Sequence, residues 1–345
     1  MNGSAHTGPE YAVVIPTLGR PSLDRCLTAL AACSGPPPRQ VVVVDDRPLT
    51  DCGPLPLTVP DALRDRLKVV AGCGNGPAAA RNTGVAATTA PWVAFLDDDT
   101  LPGPTWADDL AYDLARATPR TAAVQGRIRV PLPAHRRPTD WERCTAGLAT
   151  APWITADMAY RREALEQVGG FDERFRRAYR EDTDLALRVL NAGWALARGR
   201  RETTHPVRPA DRWVSVRVQA GNADDVLMTR LHGPNWWRRA DAPRGRLPLH
   251  LAVTAAAAGA LGCALTRRPG PTRLCAGVWL AGTAEFALAR ILPGPRTRRE
   301  LVDMTLTSLA IPPAACLHWL RGLLRHYSMR HCPRSAPLPK ERVTR

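Results

Sequence analysis

Lysine is nearly missing from this chain of 345 residues: Lys68 and Lys340 are the only two, so the net charge of +15 rests almost wholly on arginine. The arginines are scattered rather than blocked, so no nucleic acid is expected as a partner, while the pI near 10.3 suits an anionic membrane surface. The nine cysteines include no CxxC pair and no metal-finger spacing, and they read as reduced thiols of a cytosolic compartment. The first ten residues lack the basic-then-apolar pattern of a signal peptide, so the main domain is expected in the cytoplasm. No GxGxxG follows the first apolar run, residues 11–15, which argues against a nicotinamide-binding site there.

What is present is an alternation of short apolar strands and amphipathic helices. Residues 11–15, 40–44, 67–71 and 92–96 read as buried strands from their β-branched and apolar runs. Helices are expected after Ser22, after the glycine-rich turn 72–76, over 105–117 and from Arg180, and further strands over 122–130 and 153–160. Such alternation predicts an α/β fold with a mostly parallel sheet covered by helices on both faces, in which ligands bind beyond the C-terminal strand ends. Acids gather at those ends: Asp45 and Asp46 after the second strand, and Asp97-Asp98-Asp99 after the fourth. Three adjacent carboxylates repel one another and are best tolerated beside a cation or strong donors, although a solvated turn or a helix cap accounts for acids equally well.

Seven segments occur in series between about residues 10 and 210: Val-Ile-Pro16-Thr17-Leu-Gly-Arg20, Val-Val-Asp45-Asp46, Gly76-Pro-Ala-Ala-Ala-Arg81-Asn82, Phe-Leu-Asp97-Asp98-Asp99, Ala-Asp157-Met-Ala-Tyr-Arg161, Gly-Gly-Phe171-Asp172 and Glu181-Asp182-Thr-Asp184. In this order and spacing they resemble the family 2 glycosyltransferases of the GT-A, Rossmann-like fold. The resemblance implies a metal-dependent inverting transferase using a nucleotide-diphosphate sugar and a hydroxyl acceptor, glycan or lipid-linked. It implies Mg²⁺ or Mn²⁺ on Asp97 and Asp99, with His205 at a position where many members supply a metal ligand, and Asp98 beside them as a sugar or ribose contact. It places Pro16, Thr17, Arg20, Asp45 and Arg81 on the donor side, Asp182 as the base, and Glu181 and Asp157 on the acceptor or donor-sugar side. A lone histidine is nonetheless as often structural, and a swap of roles between Glu181 and Asp182 stays open. Arg47-Pro48 departs from the family's commoner Gly-Ser after the acid pair, and Thr100 from its usual polar or acidic residue.

Beyond about residue 225 the resemblance thins. The expected organisation is a GT-A domain over 10–225, a hydrophobic helical region over 226–330 and a disordered tail over 331–345. Residues 247–266 carry no charge and are long enough to span a bilayer, 274–289 are interrupted by Glu285, and 304–320 contain Pro312-Pro313. A single outward span would carry Arg267, Arg268 and Arg273 to the wrong side for basic loops, so a re-entrant hairpin or interfacial helices at the inner membrane face are expected. The competing reading is a basic membrane- or nucleic-acid-binding protein built on an inert scaffold of this fold.

Overall fold

The computed structural model describes residues 8–48, 50 and 53–327, so the expected tail over 331–345 lies outside the described residues. In chain order the elements begin with β1 (Tyr11–Thr17), α1 (Ser22–Ala31), β2 (Gln40–Asp45), β3 (Leu67–Ala71), α2 (Pro77–Ala86), β4 (Trp92–Leu96), β5 (Leu101–Pro102) and α3 (Trp106–Ala115). They continue with β6 (Thr121–Arg129), α4 (Asp140–Ala146), β7 (Asp157–Arg161), α5 (Arg162–Val168), α6 (Glu181–Asn191) and β8 (Ala195–Thr204). The remaining helices are α7 (Val214–Arg217), α8 (Asn222–His232), α9 (Trp236–Arg239), α10 (Leu247–Leu265), α11 (Pro269–Ile291) and α12 (Arg298–Arg325).

Two compact units result. Among the described residues, the first holds the chain up to Pro131 together with Leu148–Pro206, and the second holds Leu132–Gly147 and residues 207–327. The division near residue 206 precedes the expected boundary at 225, which falls inside α8.

In the first unit one sheet runs in the order β3-β2-β1-β4-β7-β6-β8-β5. β1 pairs in parallel with β2 and β4, β2 with β3, and β6 with β8, whereas β7 is antiparallel to β4 and β6, and β5 to β8. The sheet is therefore mixed, with β5 and β7 reversed. Strands β1, β2 and β4 are buried apolar runs because helices cover both faces, and they divide their side chains between two separate cores. The C-terminal ends of β1, β2, β4 and β8 and the N-terminal end of β7 meet at one edge, where Leu96 pairs with Asp157.

Sequence expectation and structure part at β7. The apolar run predicts a strand from 153, but Trp153 takes a left-handed φ of 62° and its N–H turns to the Gln125 side chain, so pairing starts only at Asp157. The two-residue strand β5 falls where the sequence reads as turn, since a Leu-Pro pair carries no alternation.

Glycine sets how closely α2 lies on the sheet. A Cβ at Gly84 would stand 2.3 Å from Val14 Cγ1, which has nowhere to move in a filled core. Gly84→Ala is expected to destabilise the protein by about 1–3 kcal/mol, as for overpacking generally, read as a lowered urea midpoint. An unchanged midpoint would mean that α2 can lift from β1 without cost.

Candidate active site

The carboxylate triplet sits on the turn after β4, and its members point in three directions. Asp98 is buried and faces β1: Thr17 Oγ1 donates to it at 2.7 Å and Arg20 Nη1 at 3.1 Å. Each of its oxygens takes one of these bonds, and this grip fixes the Thr17 and Arg20 side chains at the end of β1. Asp97 keeps the most exposure of the three and accepts from Arg81 Nη2 at 2.9 Å. Asp99 is buried, with Oδ1 3.7 Å from His205 Nε2.

His205 follows β8 directly, and its backbone N–H is held by the carbonyl of Arg129 at 2.8 Å. One ligand atom from each of Asp97, Asp99 and His205 falls within 4.8 Å of the others. Two hard oxygens and one imidazole form a donor set that fits Mg²⁺ or Mn²⁺. Parallel pairing of β8 with β6 brings the histidine to the same edge as the triplet, although the two lie far apart in sequence.

Arg81, on α2, ties the triplet to the acidic start of α6. Its Nη1 donates to Glu181 Oε1 at 2.8 Å while Nη2 serves Asp97, and the guanidinium is 2% exposed over the Phe171 ring. Burial alone would lower its pKa, but the charges of Asp97 and Glu181 outweigh that and hold it above its ordinary value. Burial, reinforced by the Asp182 charge, pushes the Glu181 carboxyl up to about 7 against the pull of Arg81. Oε2 of Glu181 has no hydrogen-bond partner among the described residues. Asp182 is half-buried and accepts from the Thr183 N–H at 2.6 Å and from its hydroxyl at 3.2 Å, and burial raises its pKa too. Asp184 is wholly buried and pairs with Arg188 at 2.7 Å, one turn along the helix.

At the end of β2, Arg47 grips Asp45 through Nε at 2.9 Å and Nη2 at 2.8 Å, and this holds the carboxyl below the usual range. Asp46 accepts from the Gly76 N–H at 3.0 Å, joining the β2 end to the glycine turn that starts α2. Gly76 needs its φ of 96°, and a Cβ there would stand 2.3 Å from the Arg176 carbonyl oxygen. Pro16 lies within β1, paired with Val44.

Asp157 is the clearest correction. The resemblance places it on the acceptor or donor-sugar side, yet its carboxylate is 0% exposed and filled by partners. Trp106 Nε1 donates at 2.9 Å, Thr203 Oγ1 at 2.6 Å and Arg201 Nε at 2.8 Å. Arg201, also 0% exposed, reaches Asp113 at 3.2 Å. Sequence reading passes over Arg201, Trp106 and Asp113 entirely, and nothing in spacing shows that they meet; an acid next to a strand reads alike whether it faces a ligand or an arginine.

Residues 12–182 match the model of glycosyl transferase family 2. Among curated proteins, the pre-mycofactocin glycosyltransferase of Mycobacterium tuberculosis is 34% identical over 131 residues, 34% of this chain and 27% of that protein. The validoxylamine A glucosyltransferase of Streptomyces hygroscopicus subsp. limoneus is 35% identical over 126 residues, 36% of this chain and again 27% of the relative. The match therefore spans about a quarter of the length of these curated relatives. A solved mannosyltransferase from Pyrobaculum calidifontis, in complex with GDP-Man and Mn²⁺, is similar in fold, with a TM-score of 0.54 at 20% identity over 91% of this chain and 88% of that one. The ordered motifs, the GT-A-like sheet and the family match agree: residues 12–182 of this chain belong to glycosyl transferase family 2.

Proposed function

We propose that this chain transfers a sugar from a nucleotide-diphosphate donor to a hydroxyl acceptor with inversion at the anomeric carbon. The observation that carries this reading is the convergence of Asp97, Asp99 and His205 at one edge, with Arg81 joining Asp97 to the Glu181-Asp182 start of α6. Asp97, Asp99 and His205 would hold a divalent cation, which when bound neutralises the charge gathering on the leaving diphosphate. The Mn²⁺ in the Pyrobaculum structure supports this set without choosing between Mn²⁺ and Mg²⁺. Thr17, Arg20 and Asp45, at the ends of β1 and β2, are proposed to line the nucleoside side, with Asp98 fixing the first two.

Asp182 suits the base better than Glu181. The Glu181 carboxylate is enclosed and bound to Arg81, whereas Asp182 keeps access to solvent. The acceptor oxygen attacks the anomeric carbon, its proton passes to the Asp182 carboxylate, and the bond from that carbon to the diphosphate oxygen breaks. The exposed apolar helices of the second unit support an acceptor, glycan or lipid-linked, met at the cytoplasmic face of the membrane.

Two outcomes check this reading, and two more check the charges of the site beneath it. Asp99→Asn should lose metal-dependent donor binding in calorimetry, while Asp182→Asn should bind donor normally and slow transfer by about 10²–10⁴-fold; normal transfer in the second variant would move the base elsewhere. Arg81→Met leaves Glu181 buried without its cation, so a stability loss of about 3–5 kcal/mol in urea unfolding is expected. Glu181 binds its proton more tightly folded than unfolded, so its contribution to stability is full below its ordinary pKa and fades as pH rises through about 7. The melting temperature of the native protein relative to Glu181→Gln should accordingly fall between pH 5 and pH 8; a constant difference would place the titration elsewhere.

A further inference from the structure

The helices of the second unit are turned inside out relative to a protein made for water. On the N-terminal half of α12 the inward face carries polar groups beside Met304 and Ile311: Arg290 of α11 donates to Thr307 Oγ1 at 2.8 Å and Ser308 Oγ at 3.0 Å, and through its other amino group to Asp140 at 2.8 Å and Ser215 at 3.0 Å. The outward face is a ridge of Leu301, Leu306, Leu309, Leu317, Leu320 and Leu324, 39–78% exposed and mostly recurring at helical spacing. Spacing of that kind normally faces a core, not solvent.

Helices α10 and α11 repeat the inversion as an antiparallel hairpin. Their contact is made by small groups: a Cβ on Gly282 would stand 2.5 Å from Val253 Cγ2, and one on Gly259 3.3 Å from Cys275 Sγ. The large residues Leu261, Leu265, Leu274, Val278, Leu280 and Leu288 are all at least half exposed. Close packing through glycine with leucines outside is how helices associate in hydrocarbon, where burying leucine against a neighbour gains nothing.

Length and charge decide how such helices sit. Arg273 and the ion pair of Arg246 with Glu285, at 2.6 Å, leave only residues 274–284 of α11 free of charge. That stretch rises about 16 Å, roughly half of a hydrocarbon core of about 30 Å, so α11 cannot cross upright without burying charge. Lying flat, the hairpin keeps ionic groups at both ends level with headgroups. At its turn, Ala264, Arg267, Arg268, Pro269, Thr272 and Arg273 line a concavity of about 410 Å³ suited to phosphate.

We propose that α10, α11 and α12 lie in the plane of an anionic bilayer, sunk into one leaflet by their outward leucines, with the turn arginines holding lipid phosphates. The inference rests on the membrane-face reading above and not on the transfer reaction. It is tested by diluting the full chain from detergent onto sealed vesicles of phosphatidylcholine with and without phosphatidylglycerol, followed by flotation. Binding should require phosphatidylglycerol and fall at least about tenfold in Leu306→Glu combined with Leu317→Glu, with circular dichroism and donor binding unchanged. In Arg268→Cys, an impermeant maleimide added outside should modify the new thiol, read by mass on its own peptide.

Three results would overturn the proposal: flotation indifferent to the two glutamates, a thiol reached only after the vesicles are opened, or a native protein that stays unbound while the same variants turn a dimer into a monomer. The last would give the leucine face to a second copy. Donor binding measured in each sample keeps a failure here apart from a failure of the transferase reading.

Discussion

A single buried cation holds the acidic edge of the sheet together. Arg81 sits where α2 begins its second turn, and its two amino groups reach carboxylates from two distant parts of the chain. A guanidinium suits this place because its fork serves two oxygens at once and it stays charged where a lysine would shed its proton. The acids around it repel one another, and only a fixed positive charge lets Asp97, Glu181 and Asp182 share so small a volume. Once that centre is set, the glycine turn before α2, the Asp46 bond to Gly76 and the start of α6 fall into register around it.

Much of this first unit is legible in the sequence. Strands β3 and β4 can be read to the residue, because each is a short apolar run bounded by turn residues and too short to make a helix. The acids at strand ends are visible because topology alone sends those ends to one edge. What cannot be read is the direction each side chain takes from a shared turn. Asp97, Asp98 and Asp99 are chemically identical in sequence, yet one meets Arg81, one Thr17 and Arg20, and one His205. Asp157 misleads for the same reason: its partners Trp106, Arg201 and Thr203 come from α3 and β8, and only tertiary pairing unites them.

The second unit is harder to read because hydropathy counts residues without saying which way they face. Residues 247–266 and 274–289 announce apolar helices, and the structure adds that glycine lies within the pair and leucine outside it. In α12 the proline pair inside the apolar run suggests an interruption, yet Pro312 and Pro313 lie inside a continuous helix. Its Thr307 and Ser308 hydroxyls and Asp303 turn inward, the two hydroxyls onto the Arg290 guanidinium.

The position of His205 has a consequence for how the protein comes of age during synthesis. The triplet after β4 is present early, but the histidine arrives only when β8 has been threaded between β6 and β5 and locked by Arg201 onto Asp157. Pairings between remote stretches form late, since the intervening loops must be closed first. The third residue of the proposed cation set therefore joins Asp97 and Asp99 only as the last strand of the sheet docks. The assembled trio is in this sense a certificate of completed folding, withheld from any intermediate that has collapsed without closing its sheet.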